Sequence, residues 1–211
     1  MTERAATGFR EAIQAIEKVS AAEIVVVVRP RLRRWWGGNA LVGALVMVAV
    51  LAFQLFSEDY EFELWTIAVA PLLAAIIGAM LVELIAPVDR LLTPRSLRDA
   101  FAREAAHAAF YEHGVHGTKG RTGVLVFISL HERKIRLVGD LAVVERIGDD
   151  GLARQAETLA AALPDGEAVA TKLAAIASEY ATTLPRSNGD LNELRDHVHA
   201  QRPRSFRGAA R

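Results

Sequence analysis

Three aspartates are the residues of this 211-residue chain that point most directly to chemistry. Asp140 follows a short alternating apolar segment ending at Val138-Gly139, and Asp149-Asp150 opens a helical segment. Hard carboxylate oxygens converging from a strand end and a nearby loop are what Ca²⁺ or Mg²⁺ takes as ligands. The same residues have a purely local reading, in which Asp149 or Asp150 caps a helix and Asp140 turns the chain. Both readings stand at this level. The histidines offer less. His113 and His116 follow Glu112 with the residue types of a helical zinc pair, but they are three apart, with Gly114 between them and no His-Glu-x-x-His pattern. They read as a helix C-cap and a polar turn, and His131 as a solvated residue of a hairpin turn. There is no Gly-x-Ser-x-Gly elbow, P-loop or dinucleotide fingerprint. Cysteine is absent, so disulfides and thiolate metal sites are excluded.

The segments that must hold these residues differ sharply along the chain. With 52% hydrophobic and 24% charged residues, it has ample apolar surface for a core. Its net charge of +0 conceals a block, Gly37 to Pro87, without one Lys or Arg and with five acids, Glu58, Asp59, Glu61, Glu63 and Glu83. Within it, residues 40–56 and 64–86 are apolar runs near the ~20 residues that a membrane-spanning helix needs. The first reaches that length if Gly37 to Asn39 extend it. The polar Ser57 to Phe62 joins the two. Arg29, Arg31, Arg33 and Arg34 precede the pair; Arg90, Arg95, Arg98 and Arg103 follow it. Positive charge stays on the cytoplasmic side, so the sequence predicts a transmembrane hairpin with both termini cytoplasmic. Residues 1–23 do not read as a signal peptide. The arginines before the first helix suit anionic lipid rather than nucleic acid. Glu83, near the cytoplasmic end, can snorkel; an ion-conducting role centred on it would need many copies of the chain.

The remainder reads as one α/β domain interrupted by that hairpin. Phe9, Ile13 and Ile16 recur at helical spacing over residues 3–19, and Ile24 to Val28 is a β-branched run suited to a strand buried on both faces. Beyond the hairpin come a helix over 96–113, a second apolar strand at Val124 to Ser129, an alternating strand at Lys134 to Val138, and helices over 151–163 and 167–184. The first two strands should be parallel, joined by a crossover through the helix, and the last two antiparallel. The predicted organisation is 1–34 for the first helix and strand, 35–88 for the hairpin, 89–185 for the rest of the domain, and 186–211 as a mobile polar tail.

Three stretches together resemble the TPM domain family: Ala22-Glu23 followed by Ile24 to Val28, then His116 through Leu130, then Glu132 through Asp140. The chain is similar in particular to the bacterial membrane branch, in which a two-helix insertion follows the first strand. The resemblance covers about residues 5–186 and extends to Asn192-Glu193-Leu194. It implies a small mixed-sheet α/β sandwich flanked by helices and placement in the bacterial cytoplasmic (inner) membrane. It also implies a role in assembly or quality control of membrane complexes, through an unidentified membrane-protein partner and without catalysis. Some members bind Ca²⁺ at the loop end of the sheet and one is described as a phosphatase. Carried over residue by residue, this gives Asp140, Asp149 and Asp150 as metal ligands, and a metal-dependent phosphatase as the alternative. The glycine-rich Val-Gly-x-Gly stretch of the longer branch is here Val138-Gly139-Asp140-Leu141.

Overall fold

The computed structural model describes residues 2–32, 36–84, 91–186, 194 and 198–200. It is a mixed α/β protein that divides into two compact units, residues 1–32 with 99–211, and residues 33–98.

The first unit is built around β1 (Glu23–Arg29) and β2 (Gly123–Ser129), paired in parallel from Glu23–Gly123 through Arg29–Ser129. Both strands are almost wholly buried because both faces are covered. Alternate side chains supply two cores, as the two-residue period of a strand dictates. Ile24, Val26, Val28, Val124, Val126 and Ile128 face one way, Val25, Val27, Leu125 and Phe127 the other. α1 (Glu3–Val19) covers the first face with Phe9, Ile13 and Ile16. It starts at Thr2, whose hydroxyl accepts the Ala5 N–H at 3.2 Å. α4 (Arg95–Glu112) is the crossover helix and covers the second face with Ala106, Ala109 and Phe110. β3 (Lys134–Gly139) runs antiparallel to β2 after a tight turn. That turn is tied by Glu132, which accepts the Ser129 hydroxyl and the Leu32 N–H.

The region after β3 departs from the sequence expectation. A short helix, α5 (Leu141–Ile147), begins on Asp140 and ends where Gly148 takes φ 76°. The helix expected over 151–163 is α6 (Asp149–Ala160), and the one expected over 167–184 is two, α7 (Gly166–Ala175) and α8 (Ala177–Thr183), broken at Ile176. Leu152, Leu159, Val169, Leu173 and Tyr180 from these helices complete the first core. Burial, and secondarily Glu179, raises the Tyr180 phenol above its ordinary range, and its hydroxyl donates to Gln155 Oε1 at 3.2 Å.

The tail expected to be mobile is corrected at two points. β4 (Val198–Ala200) pairs in parallel with β1, giving the sheet order β3-β2-β1-β4, and the Leu194 N–H donates to Glu23 Oε2 at 2.6 Å. The physical reason lies in β1: without β4, a strand apolar on both faces would also present a bare hydrogen-bonding edge. The rest of the tail, 187–193, 195–197 and 201–211, lies outside the described residues.

The second unit contains α2 (Trp36–Phe56) and α3 (Leu64–Leu84), both long and apolar enough to cross a membrane. α2 thus includes Gly37 to Asn39. The two helices pack closely where Gly43 meets α3: a Cβ there would stand 2.7 Å from the Ala75 carbonyl oxygen. Gln54, a polar residue in α2, is buried and donates to the Thr66 carbonyl at 3.2 Å. In a nonpolar setting such a group must find its partner within the protein.

Gly123 is the tightest point of the α/β unit. A Cβ at that position would lie 2.1 Å from the Val115 carbonyl oxygen, which belongs to the backbone and cannot rotate away. Gly123→Ala should therefore destabilise the unit by about 3 kcal/mol, the upper part of the range for overpacking. Gly117→Ala, where nothing stands within 4 Å, serves as the control. Thermal unfolding of the detergent-solubilised chain, read by protease resistance of the 99–186 segment, checks it; equal melting of the two variants would refute the packing argument.

Candidate functional site

The three predicted aspartates line one cavity of about 740 Å³ beside the end of β3. Asp140 is the buried member, with its side chain 8% exposed. Its Oδ1 accepts the Leu141 N–H at 2.8 Å and lies 3.6 Å from Arg121 Nη1. Its backbone N–H donates to the Gly123 carbonyl at 2.8 Å, so the carboxylate is held by both β2 and the α5 N-terminus. Asp140 Oδ2 is buried and has no hydrogen-bond partner. A buried carboxylate oxygen left unpaired costs about 1–3 kcal/mol or more, which marks it as a place where a ligand group is missing or a price is paid for one.

Asp149 and Asp150 stand exposed on the first turn of α6, whose N-cap is Gly148 rather than either aspartate. There they complement the helix dipole. Asp140, by contrast, is the N-cap of α5. Among the described residues, no group of three or more His, Asp or Glu side chains is gathered so as to hold a metal. Ca²⁺ takes six to eight oxygens. One unpaired buried oxygen and two exposed carboxylates on another helix do not amount to such a shell, so the donors present do not fit the ion.

The opposite part of the cavity is basic. Arg103, His107 and Tyr111 project into it at four-residue spacing from α4, and Arg136 from β3. Arg136 lies 3.5 Å from Asp99 Oδ1, which Lys134 Nζ approaches to 2.7 Å, and Arg136 Nε is buried without a partner. Sequence reasoning missed these residues because none belongs to a motif. The signal was present in the two-residue period of β3, which places Arg136, Val138 and Asp140 on one side of the strand.

The histidines do not converge. His116 rests against Tyr111, ring centroids 5.1 Å apart, and its Nδ1 is buried and unpartnered. His113 at the end of α4 stacks on His199 of β4 at 4.2 Å. The side chain of Glu83 lies outside the described residues.

Neither a family of known proteins nor a curated protein sequence matches the chain. Its structure is similar to the NMR structure of the BA42 protein from the psychrophilic bacterium Bizionia argentinensis, with a TM-score of 0.54 and 12% sequence identity, over 95% of each chain. At that identity the likeness concerns the fold.

The His113–His199 stack should make the docking of β4 pH-dependent. Burial first, and then the proximity of His199, lower the His113 pKa below 6.5; Arg29 acts in the same direction and Glu112 against it. The undocked imidazole therefore takes up a proton at a higher pH than the docked one. The stabilisation is present above pH 6.5 and is lost as pH falls below it. Hydrogen-exchange protection of the residue-199 amide, the one of β4 that the register turns toward β1, should drop between pH 7 and pH 5, and His199→Gln should reduce that drop. An unchanged profile in the variant would remove the like-charge contribution.

Proposed function

We propose that this chain is a membrane-anchored TPM-like domain. In this reading the transmembrane α-helical hairpin, α2 and α3, is inserted within the α/β unit between β1 and the crossover helix. The domain lies on the cytoplasmic side of the bacterial inner membrane. There it binds a membrane-protein partner in assembly or quality control of a membrane complex, without catalysis of its own.

The observation that carries the proposal is the hairpin. A core helix of a soluble protein is mostly buried, whereas only 17% of the apolar window of α2, and likewise of α3, is buried. Apolar side chains on every face, from Leu41 to Leu55 and from Leu72 to Leu84, are left for a solvent of hydrocarbon. The arginine-rich flanks and the acidic connection support the orientation. β1 ends at Arg29 and α2 begins at Trp36, so the tether is short. With no group of three or more His, Asp or Glu side chains gathered among the described residues, the donor set favours binding over metal-dependent catalysis.

Topology reporters test the anchor. A reporter fused after Arg211 should be active in the cytoplasm and one placed within Ser57 to Phe62 outside; the reverse pattern would overturn the orientation. Photo-crosslinking from the α/β unit in native membranes should give a discrete protein adduct, and adducts with lipid alone would overturn partner binding.

A second reading, a metal-dependent phosphatase of low activity, has one observation in its favour, the unpaired Asp140 Oδ2. The donor set argues against it, and millimolar Ca²⁺ should leave thermal unfolding unchanged. A transition raised by Ca²⁺, and no longer raised in Asp140→Asn, would restore the metal site, because binding to the native state stabilises by RT ln(1 + [L]/Kd).

A further inference from the structure

We propose that the outer edge of β3 is a docking site for an extended segment of the partner protein. The segment would join the sheet as an antiparallel strand, with a basic side chain opposite Asp140, an apolar one opposite Val138 and an acidic one opposite Arg136. The proposal rests on the partner-binding reading and gives it a place and a chemistry.

The first ground is the hydrogen-bond ladder. β3 is the terminal strand of the sheet among the described residues. Asp140 donates its N–H to Gly123, and β3 and β2 pair Val138 with Leu125 and Arg136 with Phe127. The backbone groups of residues 136, 138 and 140 therefore point toward β2, and those of Ile135, Leu137 and Gly139 point outward, away from the sheet. Three successive outward positions form a template for another strand.

The second ground is the shape of the cavity. It is lined from both faces of the sheet at once. Arg103 and Arg136 belong to the side covered by α4, while Asp149 and Leu152 belong to the helices that cover the other side. Because it is lined by the consecutive residues Arg136, Leu137, Val138 and Gly139, whose side chains alternate between the faces, the cavity runs along the strand's outer edge as well as around its end. The 740 Å³ groove thus has β3 as its floor and α4 and α6 as its walls. Tyr111 and Leu141, 66% and 61% exposed, offer apolar contact area at its rim.

The third ground is charge, which selects the occupant. Arg136 Nε and Asp140 Oδ2 are both buried and unpartnered, have opposite character, and lie on one side of the strand. Four residues of strand separate their backbones by roughly 13 Å. A compact zwitterion does not span that distance while also meeting the outward N–H and C=O groups. An added strand does, because its cross-strand partners fall opposite residues 136, 138 and 140 on the same face. Antiparallel pairing, the more stable kind per residue, fixes the order from N- to C-terminus as basic-x-apolar-x-acidic.

The probe is a fluorescently labelled peptide reading Thr-Lys-Thr-Val-Thr-Glu-Thr, titrated against the full-length chain in lipid nanodiscs and read by anisotropy. It should bind, and exchanging its Lys and Glu should weaken binding about tenfold. Arg136→Glu should favour a peptide with Lys in the Glu position. N-methylation of the two threonines flanking the valine removes the N–H groups facing β3 and should abolish binding, whereas N-methylation of the valine should not. This contrast depends on no variant of the chain. No binding at millimolar peptide, or equal loss from the two methylation patterns, would overturn strand addition. A small zwitterionic ligand competing for the groove, with the peptide inert, would do the same. A crosslinked partner that leaves the Ile135, Leu137 and Gly139 amides unperturbed would overturn this site while leaving partner binding in place.

Discussion

Everything in the α/β unit depends on the pairing of β1 with β2. Each strand is apolar on both faces, so neither can exist as an exposed edge, and the β2–β3 hairpin alone leaves one edge of β2 bare. Each must find a partner distant in sequence and be covered twice. Their parallel register, Glu23 with Gly123 through Arg29 with Ser129, joins chain segments on either side of the apolar hairpin. Closing so long a loop has an entropic cost that grows only slowly with its length, which is why an insertion of this size is thermodynamically tolerable. The cost in specificity is borne by close contacts such as Gly123 against the Val115 carbonyl, where no side chain fits.

The two edges of the sheet are managed differently. On the β1 side, β4 completes the ladder, and Leu194 donates its N–H to Glu23. The His113–His199 stack adds a titratable contact at that same edge. On the β3 side no strand follows among the described residues. The groove there carries two opposite polar atoms that the chain itself leaves unpaired. Buried unpaired groups are uncommon in folded proteins, and these two, one on β3 and one just past its end, line one cavity. A protein whose role is binding has reason to keep such an edge open, whereas a monomer selected only for stability would cover it.

Asp140 shows how one residue can carry both of its sequence readings in part. As a cap it holds the α5 N-terminus through Oδ1, and as an acceptor it leaves Oδ2 unsatisfied. Asp149 and Asp150, drawn toward it by sequence proximity, lie on a separate helix that begins after Gly148 turns the chain at φ 76°. The intervening α5 is what keeps the three carboxylates from closing into one shell.

The sequence by itself determined what depends on composition and period. The apolar helices α2 and α3, the amphipathic α1 and α4, and the fully buried β1 and β2 follow from runs whose hydrophobic pattern admits one solution. The parallel crossover and the β2–β3 hairpin follow from connection length and handedness. Tertiary structure decided what depends on weak local signals. α5 is seven residues long with two adjacent valines, and no periodicity separates it from a loop. β4 is three residues in a polar segment, and it becomes a strand because β1 has an edge to satisfy. The groove combines α4, β3 and α6, elements whose residues carry no common motif; only the folding of both sheet faces around the edge of β3 brings Arg103, Arg136, Asp140 and Asp149 to one cavity.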